Sequence, residues 1–110
     1  SFVAATRAGK FVPALLPQLK LCFHEALKKP SPATGFYIQS VGHLGRYSRS
    51  FHPALLQIVK RPKDPHLVHA LYAFYHMGKL MPAQARPALQ KLLKHPKPMI
   101  KWWAGRCLRR

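Results

Sequence analysis

The sequence predicts an all-α chain, a short α-solenoid of antiparallel helix pairs with about 33–34 residues per repeat. Three observations predict it. The stretch DPHLVHALYAFYHMGK, residues 64–79, carries helix start and stop signals at its two ends. The same layout stands 33 positions earlier in SPATGFYIQSVGHLGR, residues 31–46. Each copy is followed by a shorter apolar run that opens on Pro-Ala-Leu, at Pro53-Ala54-Leu55 and Pro87-Ala88-Leu89.

The elements follow in order as one domain, 1–110. A partial repeat spans 1–29: Gly9-Lys10 reads as the end of a first helix, and Pro13-Ala14-Leu15-Leu16 opens a second that continues to about Lys28. The first full repeat, 30–61, has Ser31-Pro32 at the start of its long helix and Gly45-Arg46 at the end, then a short helix closing on Val59-Lys60. In the second full repeat, 62–94, Asp64 is a good N-cap acceptor and Pro65 suits the first helical position, where a missing N–H costs nothing. Leu67, Ala70, Leu71, Phe74 and Met77 form the stripe that should pack. Gly78 supplies a left-handed terminator and Lys79 a charge beside the last carbonyls. A partial repeat, 95–110, begins another long helix at Pro98. Neither end carries an evident polar cap, so a partner or further chain is expected to cover the termini.

Charge narrows the function. Nineteen Lys and Arg stand against Glu25 and Asp64, a formal net charge of +17, which the chain cannot neutralise internally. Nucleic acid is the commonest polyanion to match such an excess, since each cation near a phosphate releases condensed counterions. An anionic membrane surface is the second candidate, but it favours one basic amphipathic helix, and here the charges run along the whole chain. No apolar run is long enough for a transmembrane segment. The opening SFVAATRAGK has no acid and carries Ser and Arg, as in the mature end left by a transit peptide or the first ordered part of a longer chain.

Enzymatic readings find little support. The two acids are a cap candidate and a helix-surface residue, and His24 does not share a helix face with Glu25. Cys22 and Cys107 form no CxxC pair, and either would need a histidine brought by folding to act as a nucleophile. His66 and His69 are three apart, yet no carboxylate or paired cysteine completes a metal set. Gly42 and Gly45 end a helix and do not form a phosphate loop. The expectation is no catalytic residue, no metal, no cofactor and no small-molecule substrate.

Two groups of residues carry the binding expectation. Basic residues precede each long helix: Lys28 and Lys29, then Lys60, Arg61 and Lys63, then Lys94, Lys97 and Lys101. Helix N-termini at the same edge would add to phosphate attraction, and Arg106, Arg109 and Arg110 are expected to extend it. Arg46 and Lys79 complete the phosphate set. The second group lies along one helix face: His69, Tyr72, His76 and Lys79, matched by Phe36, Gln39, His43 and Arg46 and then by Trp102, Gly105 and Arg109. His43, His69, Tyr72, His76 and Trp102 are the candidates for stacking on exposed bases. The same spacing also suits packing, with Phe36, Tyr72 and Trp102 as inter-repeat core and the histidines as satisfied polar neighbours.

The proline-opened helix, the core ALYAFYHMGK at 70–79 and the following PALQKLL at 87–93 together resemble the octotricopeptide and heptatricopeptide repeats found beside RAP domains, over residues 31–94. Those families are α-solenoids that bind RNA in mitochondria and chloroplasts, with relatives in ribosomes and transcript maturation. The resemblance implies a structural component of a mitochondrial ribosome, in the matrix, with rRNA and neighbouring ribosomal proteins as partners. Two other assignments stay open: a basic accessory subunit of an organellar membrane complex, and a fragment of an organellar RNA-maturation factor.

Overall fold

A short polar residue starts each of the first two long helices in the same way. Ser31 Oγ accepts from the Ala33 N–H (3.2 Å), and Asp64 Oδ1 accepts from the His66 N–H (2.8 Å). Both are side-chain turns that bond two residues on, so the helix proper begins after them. The sequence placed Asp64 and Pro65 at the cap and first turn; the α-helix starts at Leu67, and the Asp64 bond closes the turn just ahead of it.

The computed structural model describes residues 12–109. Among them are six α-helices and no strand: α1 (Val12–Lys28), α2 (Thr34–Val41), α3 (His52–Val59), α4 (Leu67–Met77), α5 (Ala85–Leu92) and α6 (Pro98–Leu108). Two 3-10 segments, Gly45–Phe51 and Gly78–Leu80, follow α2 and α4. Gly9-Lys10 and Arg110 lie outside the described residues. No described helix is long and apolar enough to cross a membrane.

Gly45 and Gly78 both adopt φ of +58°, so the terminating glycines recur in conformation as well as in sequence. The first long helix is shorter than its spacing predicted, ending at Val41. Ser40 Oγ bonds back to the Phe36 carbonyl (2.7 Å), a local competitor of the helical ladder. Gly42, next in line, sits against the backbone of Ala73.

The helices that the sequence marks as the long member of each pair, α2, α4 and α6, pack side by side, α2 on α4 and α4 on α6, although α2 has only the eight residues of α3 and α5. They run the same way, because early residues meet early and late meet late. Gly35 lies against His69 and Gly42 against Ala73, while on the next pair His95 Nε2 lies 2.8 Å from the Pro62 carbonyl and Arg106 donates to the Tyr75 hydroxyl (3.0 Å). Each short helix packs on the long helix after it, α3 on α4 and α5 on α6. Helix α1 covers α2 and the first 3-10 segment; its Phe23 meets Phe51 edge to face at 5.0 Å.

The expected stripe is the core. Leu67, Ala70, Leu71, Phe74 and Met77 are all buried, joined by Phe23, Ile38, Phe51, Leu55, Leu89 and Ile100 from the surrounding elements. The radius of gyration, 13.3 Å, is that of a compact globule of about this size.

Candidate nucleic-acid interface

Parallel packing lines up equivalent residues of successive long helices. His43, after α2, reaches His76 near the end of α4, with ring centroids 4.8 Å apart, and Tyr72 lies 6.1 Å from His43 and 4.2 Å from His76. On its other side Tyr72 meets Trp103 of α6 at 5.7 Å, Tyr75 meets the same ring at 5.6 Å, and Trp103 meets Trp102 at 5.0 Å. The Arg106 guanidinium sits over Tyr75 (5.3 Å) and Trp102 (5.1 Å) and donates to the Tyr75 hydroxyl (3.0 Å). One aromatic band therefore crosses three helices. His43, His76 and Trp102 are its exposed members; Tyr72, Tyr75 and Trp103 are half-buried and hold it together.

Trp103 and Tyr75 belong to this band although helical spacing had put Gly105 in the Tyr72 column and Trp102 in that of His69. The reason is a shift of two residues. Helix α4 begins two residues after Pro65, whereas α6 begins on Pro98 itself, so the partner of Tyr72 lies 31 residues on. Nothing local in the sequence announces that difference.

His69 does not present a stacking face. Its Nδ1 accepts from the Gln39 amide, which leaves the proton on Nε2, and the Nε2 edge of the ring lies against Gly35 where no Cβ stands in the way. Burial, and then the neighbouring imidazole of His66, hold its pKa below the ordinary histidine value. Phe36, by contrast, is exposed on α2.

The basic residues fall at two ends of the long helices. Lys28, Lys29, Lys60, Arg61, Lys63, Lys94 and Lys97 are exposed in or beside the loops that precede α2, α4 and α6, and Lys101 is exposed on the first turns of α6. These loops adjoin one another. His95 Nδ1 accepts from the Lys97 N–H (3.0 Å), so Nε2 carries the proton and donates to the Pro62 carbonyl. A cleft of about 540 Å³ between the second and third loops is lined by Lys63, Asp64, His95 and Lys97. A smaller one brings Arg61 and Asp64 beside Leu27 and Pro30 of the first.

Arg46, Lys79 and Arg109 are exposed at the opposite end, after the C-termini of α2, α4 and α6. The expectation that the C-terminal arginines extend the loop edge is corrected by the common direction of the helices: Arg109 is a helix length away, and Arg106 lies on the aromatic band. Glu25 is 4.0 Å from Lys28 on the exposed surface of α1, and Asp64 is engaged by the His66 N–H. Cys22 is half-buried and Cys107 buried, and neither is in a disulfide. Among the described residues, no three His, Cys, Asp or Glu side chains come together to hold a metal ion.

Exposed imidazole and indole rings beside cations are the groups that stack on unpaired bases and neutralise phosphates. Searched against known proteins, the chain matches no family, no curated protein and no solved structure.

Proposed function

We propose that the chain is a structural RNA-binding component of a large ribonucleoprotein, the mitochondrial ribosome, and that it holds rRNA through its basic loops. The charge carries this reading. Nineteen cations stand against two acids, one in an exposed ion pair and the other bonded to backbone, and the described Lys and Arg of the phosphate set are all exposed. A polyanion is the partner that relieves such self-repulsion. The phosphate contacts are assigned to Lys28, Lys29, Lys60, Arg61, Lys63, Lys94, Lys97 and Lys101 at the loop end, and His43, His76 and Trp102 to base stacking within the aromatic band.

The finer architecture belongs to the same reading. The helices are a short α-solenoid, with full repeats 30–61 and 62–94 between two partial ones. Support comes from long helices packed in parallel succession, glycine terminators of equal φ and polar turns recurring 33 residues apart. Neighbouring ribosomal proteins cover the exposed Leu21, Phe36 and Met99. The role is non-enzymatic and located in the mitochondrial matrix.

Co-sedimentation with organellar ribosomes across a salt series, with RNase-treated extract as control, tests this. The protein should travel with one ribosomal subunit at moderate salt and leave it after RNase digestion. Sedimentation with membrane complexes regardless of RNase would overturn the RNA assignment in favour of an accessory subunit on anionic lipid.

A further inference from the structure

We propose that the cleft between the first 3-10 segment, the start of α3 and the turn after α4 is a binding site for a single phosphate group. The cleft measures about 620 Å³, and Arg46, Ser48, Arg49, His52, Lys79 and Gln84 contribute to its walls. It lies away from the loop end to which the RNA contacts are assigned, and the inference stands whether or not the chain binds RNA.

The backbone explains why the cations converge. In a 3-10 helix, residues three apart stand one above the other. Over Gly45–Phe51 this stacks Ser48 on Phe51, both 1% exposed, and puts Arg46 and Arg49 in a separate, exposed row. Arg46 is steadied by Tyr47: its guanidinium donates to the phenol oxygen (2.9 Å) and sits 5.0 Å from the ring centroid. Lys79, from the turn that Gly78 opens, brings a third positive charge across the cleft. No acid lines it. The chain's two carboxylates are elsewhere, Glu25 beside Lys28 and Asp64 in the loop-end clefts, so the counter-charge must come from outside.

The second observation concerns hydrogen bonding. Ser48 Oγ and His52 Nε2 are both shut away from solvent and have no hydrogen-bond partner, although both residues line the cleft. A buried hydroxyl and a buried ring nitrogen call for a partner in a native structure. A phosphate group offers three or more acceptor oxygens, enough for the Ser48 hydroxyl, a His52 N–H, the two guanidinium forks and the Lys79 ammonium. Burial, and then the charge of Arg49, hold the His52 pKa below the ordinary histidine value.

The test uses the whole chain labelled with 15N and inorganic phosphate as the probe, exchanged against chloride at constant ionic strength. Saturable shifts are expected at the Ser48, Arg49 and His52 amides, with the His52 imidazole pKa drawn upward as the site fills. Arg46→Gln with Arg49→Gln, both at exposed positions, should weaken the midpoint about tenfold or more. Ser48→Ala should weaken it less, and Lys91→Gln, at an exposed position on α5 outside both the cleft and the RNA set, should leave it unchanged. Shifts that grow without saturation and equally at both ends overturn the proposal, as does saturable binding indifferent to the double arginine variant. A single-stranded RNA decamer forms the second arm. Displacement of phosphate by the decamer supports the site and assigns the group to a nucleic-acid backbone; retention of phosphate beside bound RNA supports it and assigns a free phosphate or its ester.

Discussion

A Cβ added at Gly42 would lie 2.7 Å from the Ala73 carbonyl oxygen and 2.9 Å from its Cα, so α2 and α4 approach as they do because this residue has no side chain. The obstacle is backbone, which cannot rotate aside. At Gly35 the same addition would run into the His69 ring, a side chain that can yield by giving up its Gln39 bond. Alanine in a helical conformation ordinarily stabilises relative to glycine by roughly 0.4–1 kcal/mol. Gly42→Ala, at φ −60°, should instead destabilise by about 1–3 kcal/mol through overpacking, and by more than Gly35→Ala does. Thermal unfolding reads this as a fall of roughly 4–8 °C per kcal/mol in a domain of this size. An unchanged or raised midpoint for Gly42→Ala would show that the helices are not held this close.

Among the elements, the succession α2, α4, α6 is joined by apolar contacts and by polar links at two depths. The part-buried Gln39–His69 bond and the fully buried Cys107–Leu71 bond tie neighbouring helices, and the aromatic band closes the exposed side. Tyr72 is the hinge of that band, since it touches His43 and His76 on one side and Trp103 on the other. A double-mutant cycle on Tyr72→Leu and Trp103→Leu should return a coupling of about 0.5–1.5 kcal/mol, the value typical of a well-oriented aromatic pair. Effects that add within roughly 0.3 kcal/mol would mean that α4 and α6 do not meet through these rings. The same offset of two residues that pairs Tyr72 with Trp103 leaves Trp102, 55% exposed, free to face a partner.

For the whole molecule, the arrangement of +17 charges sets the response to salt. Lys60, Arg61 and Lys63 sit together in the middle loop, flanked by the loops that carry Lys28, Lys29, Lys94 and Lys97. Each phosphate contact to single-stranded nucleic acid contributes about 0.7 to the slope of log affinity against log salt concentration. Replacing Lys60, Arg61 and Lys63 by Gln should therefore flatten that slope by roughly 2 in RNA-binding titrations, with little change in unfolding temperature because all three are exposed. An unaltered slope would remove the middle loop from the interface and shift attention to the opposite end.

How much of this was legible depends on how local each feature is. The buried stripe of α4, from Leu67 to Met77, and the positive φ of Gly45 and Gly78 were readable because a 3.6-residue period and the freedom of a missing Cβ act within one element. The turn acceptors Ser31 and Asp64 were readable in kind, though their bonds close the turn just before the helix instead of its first turn. By itself, then, the amino-acid order determined an all-helical chain, its core face and an uncompensated positive charge. Only the tertiary structure decided that Trp103 meets Tyr72, that His69 is turned against Gly35, that the cations divide between two ends, and that Ser48 is buried without a partner beside two arginines. Those outcomes follow from how far one helix slides along the next and which way it runs, and both are set by the interlocking of side chains and backbone between distant segments, which no local periodicity encodes.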